Sequence, residues 1–145
     1  MLQVGVCAVY RHNRLRDIFN DLCHRACLAP QLEMGGWSRD RTRPADVLVP
    51  NWVLGKPAAF DLSVTSMLNA KVFQEASVTA GSAALAVQTR KHQGNDERCR
   101  ELGWVCIPLV VETYGCWGTE AVGTFLRLAT RLSVREGHPK SVVFE

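Results

Sequence analysis

Two short apolar runs follow one another in this chain, and each carries a single aspartate. The first reads Arg43-Pro44-Ala45-Asp46-Val47-Leu48-Val49 and the second Ala58-Ala59-Phe60-Asp61-Leu62-Ser63-Val64-Thr65. Such runs, bounded by turn-forming residues, are expected to be strands over about 45–50 and 57–66. The segment between them, Pro50 to Lys56 with Gly55 near its end, reads as a long hairpin loop. A carboxylate inside a buried strand is costly unless it is paired or holds a metal. Two on adjacent strands therefore point to one shared divalent ion with oxygen ligands, Mg²⁺ or Mn²⁺.

Other elements take their places around this pair. Asn13 reads as an N-cap, and Leu15, Ile18, Phe19, Leu22 and Ala26 repeat behind it at helical spacing until Pro30. Gln31 to Met34 alternates polar and apolar as a half-buried strand does, and Gly35-Gly36 opens an arginine-rich loop running to Arg43. After the aspartate strands, Val72, Ala76, Ala80, Ala83 and Val87 form an apolar helical stripe that Gly94 is expected to stop. A short helix over about 96–102 ends at Gly103, and Trp104 to Val111 is a nearly continuous apolar run. Pro108 inside that run marks an edge strand or a bulge. A last helix spans about Thr119 to Leu132. The expected fold is a single α/β domain over 1–145, with order α-β-β-β-α-β plus a C-terminal helix around a small mixed sheet.

Length supports one domain, since a chain of 145 residues buries roughly 68–70% of its unfolded surface. With 47% hydrophobic and 21% charged residues, extensive disorder is excluded. A net charge of +3 permits nucleic acid as a partner without requiring it. No apolar run approaches the roughly 18 residues of a membrane span, and no signal-peptide pattern opens the chain. The six cysteines form no paired CxxC spacing, so reduced, mostly buried thiols in an intracellular protein are expected. Cys23, His24 and Cys27 offer a zinc-binding fragment whose second half is missing.

Taken together these residues resemble the PD-(D/E)XK, or restriction-endonuclease-like, superfamily. The details are closest to the restriction-like endonuclease domain of site-specific non-LTR retrotransposons. There an Arg-His-Asn element opens the first helix, matched by Arg11-His12-Asn13. An Arg-Pro-Asp element follows, matched by Arg43-Pro44-Ala45-Asp46 with one inserted alanine. A second aspartate stands before Thr/Ser-Val, matched by Asp61-Leu62-Ser63-Val64, and a basic pair on the next helix is matched by Arg90-Lys91. The resemblance covers about residues 7–115. It implies a restriction-endonuclease-like sandwich that hydrolyses phosphodiester bonds in DNA, with Asp46 and Asp61 holding Mg²⁺ (or Mn²⁺). It also implies Arg11, His12, Arg41, Arg43 and Arg90 on the DNA, a homodimer, and residence in the nucleus or another DNA-containing compartment. Archaeal Holliday-junction resolvases are similar to that domain, so branched DNA is an expected substrate.

The superfamily's lysine normally stands two residues after the second aspartate, and here that position is Ser63. Lys91 is the expected replacement. It continues the apolar stripe four residues after Val87 and so faces the sheet. From Ser66 back to Asp61 is about 17 Å of strand, which an antiparallel helix covers in about 11 residues. A helix starting near Glu75 then puts the level of Asp61 near Ala86, one turn before Lys91. The backward lean of helical side chains closes part of that gap. Lys71 is the other lysine to weigh.

Several residues admit plainer roles. Asp46 after Pro44 could be a turn or cap residue, Asp61 could pair with Arg43, and His12 could be a cap. Glu33 has no fixed facing, Glu112 reads as a strand-end charge, and Trp37 and Trp52 are either base-stacking or packing residues. The competing functions are a nucleic-acid-binding module that lost its chemistry at Ser63, and a protein-interaction domain built on the cysteine-bearing helix.

Overall fold

The computed structural model describes residues 2–32, 45–66 and 79–142. Their order is α1 (Leu2–Arg25), β1 (Gln31–Leu32), β2 (Val47–Val53), β3 (Lys56–Thr65), α2 (Ser82–Glu101), β4 (Val105–Glu112) and α3 (Thr119–Glu136), followed by a 3₁₀ turn (Lys140–Val142). The four strands form one sheet in the order β1-β2-β3-β4. The first three run antiparallel and β4 lies parallel to β3, so the sheet is mixed and the fold is α/β. Helix α2 is part of the long crossover that a parallel pair requires.

Alternation along β3 assigns the two faces. Ala58, Phe60 and Leu62 join Val47, Val49 and Leu109 in the main core against α1 and α3, where Phe19, Leu22, Leu128 and Leu132 are buried. Phe60 is its centre, with ring centroids 4.7 Å from Phe19 and 5.0 Å from Trp52. The opposite face carries Ala59, Leu48 and Cys106 against Cys99, with Ala84 and Val87 of α2 packed on Val110. Asp61, two residues after Ala59, shares this second face. Pro108 stands on β4, an edge strand of the sheet among the described residues, where proline is tolerated.

Some expected boundaries move. Helix α1 begins at Leu2, so Asn13 sits mid-helix and caps nothing. The helix ends in a six-residue closure in which Leu28 N–H donates to the Cys23 carbonyl and Cys27 N–H to that of His24. Cys27 there takes φ 54, the left-handed position usually held by glycine. The supposed long hairpin loop is a two-residue turn: Val53 pairs with Lys56, and Leu54 and Gly55 take φ 51 and 79. Both positive φ values suit a type I′ turn, and a register shift between Val49 and Val53 absorbs the extra length. Asp46 lies one residue before β2 rather than inside it. The last helix runs on to Glu136, where Arg25 clasps the Glu136 carboxylate with bonds of 3.2 and 2.9 Å.

The largest boundary change is in α2. Two helices broken at Gly94 were expected, but one helix of 20 residues runs through it. Bonds from both sides hold it: Lys91 and Asn95 to Asp61, and His92 to Asp96, while Cys99 is buried at its far end. Nothing lies within 4 Å of a Cβ added at Gly94. Gly94→Ala is therefore expected to stabilise the protein by about 1 kcal/mol. That should raise the thermal midpoint by about 2–4 °C, readable by circular dichroism. An unchanged or lower midpoint would contradict this account of the helix.

The start of α2 also departs from expectation. Ala80 is in a turn and the helix begins at Ser82; Lys71, Val72 and Ala76 lie outside the described residues. Its N-cap is Gly81, which has no side chain to offer. Glu112 supplies the missing acceptor from β4, taking the Ala84 N–H on Oε1 at 3.1 Å while 2% exposed. A buried carboxylate at a helix N-terminus complements both the unpaired N–H groups and the dipole. Glu112 is thus an inward cap, not a strand-end surface charge.

Candidate functional site

Asp61, the sixth residue of β3, projects toward α2. A helix beginning at Ser82 reaches the level of Asp61 about 11 residues later, which is where Lys91 and Asn95 lie. Lys91 Nζ is 2.6 Å from Asp61 Oδ1, and Asn95 Nδ2 donates to Oδ2 at 3.0 Å. Both side chains of the ion pair are about one-fifth exposed. The Asp61 carboxyl titrates above its ordinary range, chiefly because burial disfavours the charge. The neighbouring Asp46 charge pushes the same way, and Lys91 and His12 oppose both.

Asp46 stands at the mouth of β2, tied in from both sides. Its N–H donates to the Phe60 carbonyl at 2.9 Å, and its Oδ2 accepts the Leu62 N–H at 2.7 Å. The side chain so extends the β2–β3 ladder by one bond past the last paired residue. Its Oδ1 lies 3.2 Å from His12 Nε2, which comes from α1. Asp46 thus joins the end of the sheet through Oδ2 and helix α1 through Oδ1. Three layers of the fold meet here: α1 through His12, the sheet through both aspartates, and α2 through Lys91 and Asn95.

Two carboxylates of this kind could hold a hard divalent cation. The donors are carboxylate oxygens, and the mutual repulsion of two such groups is what a cation relieves. Each of the four oxygens already accepts or pairs with one donor, and a carboxylate oxygen has a second lone pair to give. Lys91 brings a positive charge directly beside Asp61.

Of the other expected site residues, Arg11 is exposed on α1, where its Nη2 donates to Cys7 Sγ at 3.2 Å. Arg90 is exposed on α2, next to Lys91. Arg41 and Arg43 lie outside the described residues, as do Glu33 and Trp37. Asp61 pairs with Lys91. Trp52 packs in the core against Phe60, with Arg127 over its ring at 5.8 Å. The Cys23–His24–Cys27 fragment does not assemble: Cys23 is fully buried, its thiol pushed up to about 12 by that burial, while Cys27 and His24 are exposed. The six cysteines are free thiols, three of them buried.

Asn95 was not anticipated. Its signal is the i,i+4 spacing from Lys91, hidden by the expectation that Gly94 ends the helix. One turn around α2, His92 Nδ1 lies 2.7 Å from Asp96 Oδ1, and His92 Nε2 lies 2.7 Å from Glu120 Oε2 of α3. Next to it Gln88 Oε1 takes the Glu120 N–H at 3.3 Å, serving as the cap that Gly118 lacks. No helix among the described residues is long and apolar enough to cross a membrane.

No protein-family model matches the chain, and comparison with curated proteins and with solved structures likewise found no match.

Proposed function

We propose that this chain is a metal-dependent DNA endonuclease built on a restriction-endonuclease-like sandwich. The observation that carries the reading is the 2.6 Å contact of Lys91 with Asp61, beside an Asp46 whose charge acts on the same carboxyl. A lysine brought from a helix to the second acid supplies what Ser63 cannot. The order helix, three antiparallel strands, helix, parallel strand supports the same reading.

In this reading Asp46 and Asp61 hold Mg²⁺ or Mn²⁺, which when bound polarises the scissile phosphate and lowers the pKa of the attacking water. Asn95 fixes the orientation of Asp61, and His12 fixes that of Asp46. Lys91 offsets charge gathering on the phosphate. Arg11 and Arg90 contact the DNA backbone, where they add affinity and position without sequence choice. A homodimer would place two such sites on the two strands of one substrate.

A second reading keeps the fold and drops the chemistry, leaving a nucleic-acid-binding module. It is favoured by the closed bonding of the acids, in which Lys91 neutralises Asp61 and every carboxylate oxygen has a donor. Incubation with duplex, single-stranded and four-way-junction DNA, in Mg²⁺, Mn²⁺ or EDTA, separates the two. Cleavage that needs the metal and is lost in Asp61→Ala is the expected result, with junction DNA preferred if the activity is resolvase-like. Intact DNA in every lane with salt-dependent binding retained selects the binding module.

A further inference from the structure

We infer that α2 and β4 carry a second metal site, of a different chemical class, formed by His92, Asp96, Cys99 and Cys106 with zinc as the ion it fits. His92, Asp96 and Cys99 are spaced i, i+4 and i+7 on α2, and so share one face of that helix. Cys106 comes from β4 to meet them. Donor atoms of His92, Asp96 and Cys106 all lie within 4.8 Å of one another. Around a tetrahedral zinc, ligand atoms stand about 3.4–3.8 Å apart, so a small inward movement of these side chains completes the set. Cys99 is not within that distance of all three, but it is buried beside Cys106 on the same side of α2 and would turn inward to serve as the fourth ligand.

The chemistry of the set decides the ion. Thiolate sulfur, imidazole nitrogen and a carboxylate oxygen suit zinc and are poor ligands for Mg²⁺ or Ca²⁺. His92 is also oriented as metal-bound histidines are. With a metal on Nδ1, Nε2–H would donate to Glu120 Oε2 from α3, 2.7 Å away, a carboxylate behind the ligand. With Cys99 turned in, four protein ligands would leave no open position, and the ion would be structural. It ties α2 to β4 at the end of the helix that holds Lys91 and Asn95 against Asp61. This site rests on donors the proposed nuclease centre does not use.

Cobalt(II) reports the site directly. Protein stripped with a chelator and titrated with Co²⁺ should show one tight equivalent with tetrahedral visible bands and a thiolate-to-cobalt charge-transfer band, displaced by Zn²⁺, apart from any weaker octahedral binding at Asp46 and Asp61. Cys106→Ala should abolish the charge-transfer band. Glu120→Gln should weaken binding about 10–100-fold. Asp61→Asn should leave the spectrum unchanged, which separates this site from the nuclease reading. If Cys106→Ala does not fold, Asp96→Asn at an exposed position decides, with a weakened and altered cobalt spectrum expected. Octahedral spectra without a thiolate band, or a band that survives Cys106→Ala or is unmoved by Asp96→Asn, would overturn the proposal. His92 would then be an imidazole bridging two carboxylates, and the cysteines a buried thiol pair.

Discussion

Asp61→Asn is expected to lower metal-dependent cleavage by about 10³-fold while DNA affinity stays within a few-fold. Two losses combine in this change. The cation loses one of its two charged ligands, and Lys91 loses the anion that positions it at 2.6 Å. Removing a single preorganised electrostatic group typically costs about 10²–10³ in rate, and here two groups fail together. Lys91→Met isolates the second loss and should cost about 10²-fold alone, with metal affinity retained. Affinity should barely change in either variant, because DNA binding is assigned to Arg11 and Arg90. Single-turnover cleavage beside fluorescence anisotropy measures both quantities. Asp61→Asn also leaves Lys91 only about one-fifth exposed without its partner, so a stability cost of about 1–3 kcal/mol accompanies the change. Cleavage should therefore be compared well below the melting transition. If cleavage and binding fell by the same factor, Asp61 would be a DNA-contacting or structural residue.

The pair of aspartates was legible because the physics behind it is local. An acid beside or within an apolar strand advertises itself, and the register that pairs Val47 with Phe60 brings Asp46 and Asp61 close. Lys91 was legible for a related reason, since it continues a helical stripe begun by Ala83 and Val87. The geometry was right in kind, although the helix begins at Ser82, not near Glu75, which moves Lys91 from one turn past Asp61 to alongside it. What could not be read depends on tertiary bonds. Gly94 is a poor helix former, yet Asp61 grips the turns on either side of it through Lys91 and Asn95. Asn13 has the chemistry of a cap but sits in a helix whose start lies 11 residues earlier, at Leu2. Glu112 and Gln88 each cap a helix from another element, and no spacing rule connects such partners. His92, Asp96 and Cys99 do show helical spacing, but only once Gly94 is known not to divide them. Cys106 joins them solely through the parallel pairing of β3 and β4, which the chain's local pattern does not encode.

Phe60→Ala should remove about 3–5 kcal/mol of stability and lower the thermal midpoint by about 10–15 °C. Phe60 is fully buried, and its ring meets Phe19 from α1 and Trp52 from β2. Each aromatic contact adds about 0.5–1.5 kcal/mol beyond the area buried, so truncation loses both the contacts and the volume that held them. A domain of this size has about 5–15 kcal/mol in all, which makes the variant marginal but foldable. The chemistry should respond differently. Phe60 and Asp61 are adjacent in sequence but point to opposite faces of the sheet, and the bond from Asp46 N–H to Phe60 uses the backbone carbonyl, which the substitution leaves in place. Cleavage per folded molecule at low temperature should therefore stay within a few-fold of the parent, while activity disappears at temperatures the parent tolerates. Thermal denaturation followed by circular dichroism, with cleavage assayed at two temperatures, tests both halves. A midpoint shift below about 3 °C would mean the aromatic cluster is not the centre of the core. A large loss of cleavage in the cold would mean that the two faces of β3 are coupled, and that the site depends on core packing as well as on the bonds around Asp46 and Asp61.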